Sequence, residues 1–353
     1  MKLEELKDIN APISPSMINC GLRCQRRFLY RYRWGLVPKI SPYAPSPRVG
    51  KLFHRLLELG PAEVETVRKE VAEEQKVLME RIRKGEDLTG DLTRTAQDLS
   101  DLFHKALVMA EIFWHKFKQP DDLETVACEL TIKVRHRDTP KRHIWKGRLD
   151  RLVRNKSTGE YWIRDIKTTA QSLNLVLTGY AWSTACRFYR LITDLWLKEN
   201  EESYKKGKLR GIILDICRTP TIKYCPTTKD KEGFNRYLKR VEQWYDGQED
   251  LAMIAKGIVF TEPIYPLELR AALQRIDDYL LQPMIPETFE RDITRSYCKE
   301  YNRVCPYYDL CVSDMRGWPS IIEREFDILE VNENDEGTVD TDDGVGTGDS
   351  SGL

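Results

Sequence analysis

Alternating apolar and polar positions mark the middle of the chain as sheet, and helical spacing marks its flanks. Residues 123–135 alternate with period two and predict a strand. Residues 143–154 and 160–168 read as strands on either side of Asn155-Lys156-Ser157-Thr158-Gly159, a turn sequence, so they predict an antiparallel hairpin. Residues 208–218 are apolar enough for a central strand. Upstream, Ser14-Pro15-Ser16 is a helix start for a basic, aromatic stretch that runs to Trp34. A proline-rich loop at residues 38–47 precedes a helix with apolar positions at Val49, Leu52, Phe53, Leu56, Leu57 and Leu59. Residues 62–118 read as long charged helices with a break at residues 85–90, a helical insertion. Residues 172–198, 234–256 and 267–281 predict further helices. The basic loop 136–142 and the lysine-containing loop 219–231 join strands to their neighbours, and no internal repeat is evident.

Length and composition narrow the class. The 353 residues, 41% hydrophobic, suffice for a large packed domain, expected over residues 1–325. Residues 326–353 turn to Asp, Glu, Gly, Thr and Ser and are expected to form an acidic, disordered tail. Lys+Arg and Asp+Glu both number 56, so the acidic tail leaves the remainder net basic. That balance is compatible with a polyanionic partner without requiring one. Met1-Lys2-Leu3-Glu4-Glu5 has no signal-peptide character, and no run of about 18 apolar residues occurs. A soluble, cytoplasmic protein with no membrane partner is expected. In that reducing setting the nine cysteines are expected as thiols or metal ligands rather than disulfides.

The hairpin carries the candidate chemistry. Asp165 and Lys167 lie two positions apart on one strand and must share a face. Asp150, on the neighbouring strand, can lie close to both. Two carboxylates and a lysine on one face call for a cation between them, and hard carboxylate oxygens suit Mg²⁺. Taken alone, the pattern is more often that of a solvated hairpin, and His54 alone is an ordinary helix residue.

Four signatures in order change the weighing: Gly50-x-x-x-His54, Gly147-Arg148-Leu149-Asp150, Asp165-Ile166-Lys167-Thr168, and Gly179-Tyr180-Ala181 on the following helix. Together they resemble the PD-(D/E)XK nuclease superfamily in its RecB-like branch, similar to the AddAB nuclease domains and the CRISPR adaptation nucleases, over about residues 14–312. The resemblance implies an α/β, restriction-endonuclease-like fold, a mixed β-sheet core flanked by helices, acting as a metal-dependent DNA nuclease. Exonuclease action on single-stranded DNA or DNA ends is expected, in recombination, repair or replication. Asp150, Asp165, His54 and the Ile166 carbonyl would hold Mg²⁺ or Mn²⁺, the imidazole tilting preference to Mn²⁺. Lys167 would orient or help deprotonate water and stabilise phosphoryl charge, and Tyr180 would sit near the phosphate or the lysine. Glu129 is either a water-orienting acid or a plain strand residue. Relatives carry Gln four residues before the tyrosine; here Val176 stands there, with Asn174 or Gln171 as substitutes. The resemblance also admits a homo-oligomer or a recombination or replication protein as partner. A catalytically silent DNA-binding scaffold of the same fold is the alternative.

The cysteines add a second feature. Cys298-x₆-Cys305-Pro306-x₄-Cys311, in the segment 295–312, suggests a soft metal that needs one more ligand. Cys24, in Cys-Gln-Arg-Arg-Phe-Leu-Tyr, resembles the N-terminal cysteine segment of the iron–sulfur members of the branch. A 4Fe–4S cluster on Cys24, Cys298, Cys305 and Cys311 is therefore implied, with zinc or free thiols as alternatives and Cys20 as the competing ligand. Cys128, Cys186, Cys217 and Cys225 read as ordinary thiols. Arg23, Arg26, Arg27, Arg31 and Arg33, with Tyr30, Tyr32 and Trp34, read either as a path for DNA or as a solvated helix face.

Overall fold

A computed structural model describes residues 6, 8–39, 45–87, 90–117, 121–135, 143–181, 183–201, 204, 208–222, 233–246, 252–292, 297–300 and 303–329. The loop 136–142, most of the loop 219–231 and the tail beyond residue 329 fall outside them.

The N-terminal helix is not continuous. Ser14 caps α1 (Pro15–Arg23) by accepting the Met17 N–H, as its sequence predicts. Cys24 then swings to extended backbone, closes α1 through its own N–H to Cys20 O, and opens α2 (Gln25–Phe28) by accepting the Arg27 N–H at Sγ. A π-helical turn over Leu29–Arg33 leads to the short strand β1 (Leu36–Pro38). Next comes α3 (Pro45–Leu59), which begins inside the expected loop because Pro45 and Pro47 occupy a first turn where no N–H is needed. The expected insertion is α4 (Val64–Arg83) and α5 (Asp91–Lys116), with left-handed Gly85 and Gly90 flanking the break.

The central sheet has the order β2-β3-β4-β5-β6. Its strands are β2 (Leu123–Arg135), β3 (Ile144–Asn155), β4 (Tyr161–Thr169), β5 (Leu209–Arg218) and β6 (Met253–Val259). Three pairings are antiparallel and β4–β5 is parallel, which makes the sheet mixed. The parallel step needs a crossover, supplied by α6 (Leu173–Ala181) and α7 (Thr184–Asn200). Those helices were expected as one; Ser183 breaks them by capping α7 at the Cys186 N–H. The expected helix 234–256 is likewise corrected: α8 spans Phe234–Tyr245, and Met253 to Lys256 belong to β6. Helix α9 (Leu267–Leu281) follows as predicted. The C-terminal part adds the hairpin β7 (Lys299–Glu300) and β8 (Arg303–Val304), then α10 (Tyr308–Val312) and α11 (Trp318–Glu325). Strand β9 (Phe326–Ile328) pairs with β1, so the first residues assigned to the tail are part of the fold.

Each face of the sheet has its own core. On one, Leu149, Ile163, Ile212 and Leu214 pack with Phe188 and Ile192 of α7 and Ile276 of α9. On the other, Ile166, Cys217 and Met253 pack with Phe53 and Leu56 of α3 and Phe103 of α5. Most of the basic stretch belongs to the first core, and there both expectations are corrected; Arg23 alone of the five arginines is exposed. Arg26, Arg31, Arg33, Tyr30, Tyr32 and Trp34 are all buried. Arg33 donates to Asp8 Oδ2 at 2.6 Å and to Tyr279 O at 2.6 Å, and Arg26 donates to Phe289 O at 3.1 Å. Arg23 and Arg27 lie against the Tyr297 ring. These guanidiniums fasten the chain's N-terminal segment to its C-terminal part.

One close approach is testable. A Cβ on Gly211 would fall 2.2 Å from the Ile258 carbonyl oxygen, a backbone atom that cannot turn away, whereas one on Gly257 would meet only the Trp162 ring at 3.6 Å. Gly211→Ala should cost about 1–3 kcal/mol in urea unfolding, and Gly257→Ala should cost far less.

Candidate active site

The hairpin does not zip along its full length. The β3–β4 ladder runs from Arg154–Tyr161 to Arg151–Arg164 and stops there, while β4 continues alongside β5 to Thr169–Arg218. Asp150 and Asp165 are the residues just past the stop. Asp150 Oδ2 accepts the Ile166 N–H at 2.7 Å, so a side chain supplies the contact where the ladder ends. His54 Nδ1 lies 3.7 Å from the same oxygen. It arrives on α3, and Gly50, one turn earlier, lets that helix lie against β4: a Cβ there would sit 2.6 Å from Thr168 Oγ1.

Asp165 and Lys167 share a face, as their spacing requires. The Lys167 ammonium is 3.2 Å from Asp165 Oδ1 and 3.0 Å from Oδ2. Tyr180, on α6, is buried and presents its ring 5.8 Å from Nζ. Gly147 admits α7 on this side; a Cβ there would fall 2.5 Å from Ile192 Cδ1. Burial raises the Asp165 carboxyl, and Asp150 adds to this against the pull of Lys167. Burial opposes the Lys167 charge, but Asp165 and Asp150 hold the ammonium well above its ordinary value. Burial, then Asp165, keeps the Tyr180 phenol protonated. Beneath the site, Arg164 Nε donates to the fully buried Asp215 at 2.5 Å, tying β4 to β5.

Glu129 is a full member of the cluster. The pairs Cys128–Arg151 and Leu130–Leu149 bracket it opposite Asp150. Its φ is 48°, and with Asn10 it is one of two positive-φ non-glycine residues among those described. That backbone costs roughly 1–2 kcal/mol in an L-residue. Arg148 Nε stands 3.0 Å from Glu129 Oε2, but Arg148 is 63% exposed. Such ion pairs contribute about 0–1 kcal/mol, too little to impose the conformation, so the sheet imposes it. Burial, then the charge of Asp150, pushes the Glu129 carboxyl up to about 7, with Glu58 adding and Arg148 opposing. Glu58 went unnoticed in the sequence; its signal was the spacing of one helical turn after His54.

The remaining expectations sort as follows. Ile166 touches Asp150 through its N–H. Val176 is half-buried against the core, Asn174 is exposed, and the Gln171 N–H donates to Thr169 Oγ1. Cys24 comes from one end of the chain and Cys298, Cys305 and Cys311 from the other; Cys24 is near enough to Cys305 and Cys311 to act on them, but among the described residues no three cysteines stand grouped. Burial raises the Cys305 and Cys311 thiols, and Cys24 adds a smaller contribution to each. Cys20 is nearby but buried, its thiol pushed up to about 12 by burial. Cys186 and Cys217 are buried, Cys128 is exposed, and Cys225 lies outside the described residues.

The donor types of Asp150, Asp165, Glu129 and His54 fit a hard divalent cation. As placed, each carboxylate holds an N–H or a cationic side chain, and among the described residues no three His, Cys, Asp or Glu stand grouped to hold a metal ion. The sequence model of the PD-(D/E)XK nuclease superfamily matches residues 12–312. The chain belongs to the PD-(D/E)XK nuclease superfamily. Superfamily members share the mixed, helix-flanked sheet seen here, and nuclease action with divalent cations such as Mg²⁺ or Mn²⁺ is general among them. No curated protein matches the sequence. The solved structure of SSO0001 covers 77% of this chain and 87% of its own at 15% identity, with a TM-score of 0.26, too slight a superposition to bear on fold or site. No described helix is long and apolar enough to cross a membrane.

Glu129 gives a pH signature. Its folded value, about 7, lies above the ordinary 4.5, so its contribution to stability is full below pH 4.5 and is lost as pH rises through 7. In metal-free protein, Glu129→Gln should therefore gain melting temperature relative to wild type between pH 5 and 8. A gap that stays flat across this range would show that the carboxyl titrates normally.

Proposed function

We propose that this chain is a divalent-cation-dependent deoxyribonuclease of the RecB-like branch, an exonuclease on single-stranded DNA or DNA ends. What supports it most is the strand split that brings Asp150, Asp165 and Lys167 together with His54 from α3. A bound Mg²⁺ or Mn²⁺ would supply a nucleophile at neutral pH and charge neutralisation at phosphorus. Asp150, Asp165, the Ile166 carbonyl and His54 are the groups to hold it. Lys167, fixed as an ammonium, stabilises charge on the phosphoryl oxygens; as a proton acceptor it is disfavoured. Glu129, protonated in part near neutrality, is suited to orienting water beside Asp150. Tyr180, kept as a phenol by burial and then by Asp165, lies with its ring beside the Lys167 ammonium, near where a phosphate would sit.

Labelled single- and double-stranded DNA with blocked 5′ or 3′ ends tests this directly. Wild type with Mn²⁺ should degrade DNA from an end, and Asp165→Ala or Lys167→Ala should lose about a hundredfold or more in rate. Metal-loaded wild type that binds DNA firmly but cuts no form of it would establish the silent scaffold instead.

We also propose that Cys24, Cys298, Cys305 and Cys311 ligate a 4Fe–4S cluster. The spacing of the three C-terminal cysteines supports it, with Cys24 near enough to act on Cys305 and Cys311, and the burial of Cys20 favours Cys24 as the fourth ligand. Anaerobically purified protein should be brown with about four irons per chain. Cys24→Ala should lose the iron and Cys20→Ala should keep it; a colourless protein carrying one zinc would refute the assignment.

A further inference from the structure

We infer that Arg148 is a positioning residue that exchanges partners, holding the Glu129 carboxylate in the free protein and releasing it when a DNA backbone phosphate takes its guanidinium. This rests on the nuclease reading above. Glu129 is kept beside Asp150 by the sheet itself, since its left-handed backbone is more costly than its ion pair is favourable. The ion pair therefore decides only where the carboxylate points. Arg148 lies two positions before Asp150 on β3, so its guanidinium projects on the acid-bearing side of the strand and is mostly in solvent. An exposed arginine within reach of a bound backbone is suited to phosphate, which it grips with two parallel N–H donors.

The exchange has a consequence for cation binding. Once Arg148 leaves, the Glu129 carboxylate faces Asp150 and, from α3, Glu58, which Arg55 pairs at 2.9 Å, with Arg151 still opposing. Like charges so placed repel until a divalent cation joins them. Phosphate capture by Arg148 and cation capture by the acids should therefore favour each other, and such a coupling is reciprocal.

Isothermal titration of Mn²⁺ into the full chain, with and without a cleavage-resistant phosphorothioate single strand, reads this coupling without relying on activity. In wild type the oligonucleotide should tighten Mn²⁺ binding by about fivefold or more. Arg148→Gln should reduce that enhancement to less than about twofold, Arg148→Lys should restore part of it, and adding Glu129→Gln to Arg148→Gln should change it no further. An undiminished enhancement in Arg148→Gln overturns the exchange. Wild type that binds both ligands without mutual enhancement overturns it while leaving the nuclease reading intact; wild type that binds neither overturns both.

Discussion

The contact between Asp150 and the Ile166 N–H governs the arrangement around it. Two strands that separate must leave backbone groups without ladder partners, and a buried N–H without an acceptor is costly. Asp150 supplies the acceptor at 2.7 Å. In doing so it fixes the depth at which β3 and β4 part, and hence the distance between the two carboxylates. The other constraints serve this split from outside. Gly50 and Gly147 bring a helix in close on each side, and the Arg164–Asp215 pair holds β4 to β5 after β3 has left. An apolar substitute for Asp150 would leave the N–H stranded as well as removing a ligand, so stability and chemistry share one side chain.

Much of this was legible in the chain. Strand patterning gave β2, β3, β4 and β5 nearly to the residue: alternation marked β2, and a near-continuous apolar run marked β5, which is buried on both faces. Asp165 and Lys167 share a face for a reason that strand geometry alone supplies.

What stayed hidden depended on partners distant in sequence. Met253 to Lys256 has no local feature that rejects helix; pairing with β5 makes it strand. Arg26, Arg31 and Arg33 look like a basic surface until the carbonyls that receive two of them, Phe289 and Tyr279, are in place. The left-handed backbone of Glu129 follows from its position in the sheet, and nothing about a glutamate announces it. Glu58 sat on the predicted face of α3, but a single acid on a charged helix carries little information until its neighbours are known.

The union of the two ends bears on how the chain is made. Strand β1 finds its partner only in β9, and the Tyr307 hydroxyl donates to the Leu36 carbonyl across 271 positions at 2.7 Å. A ribosome delivers these segments far apart in time. The N-terminal aromatic pair of Tyr30 and Trp34 must therefore wait, apolar and unsheltered, until Tyr307, Trp318 and Phe326 emerge to enclose it. This half of the molecule cannot close until its last strand has been made, and the nascent chain is exposed to chaperones and to aggregation throughout that interval.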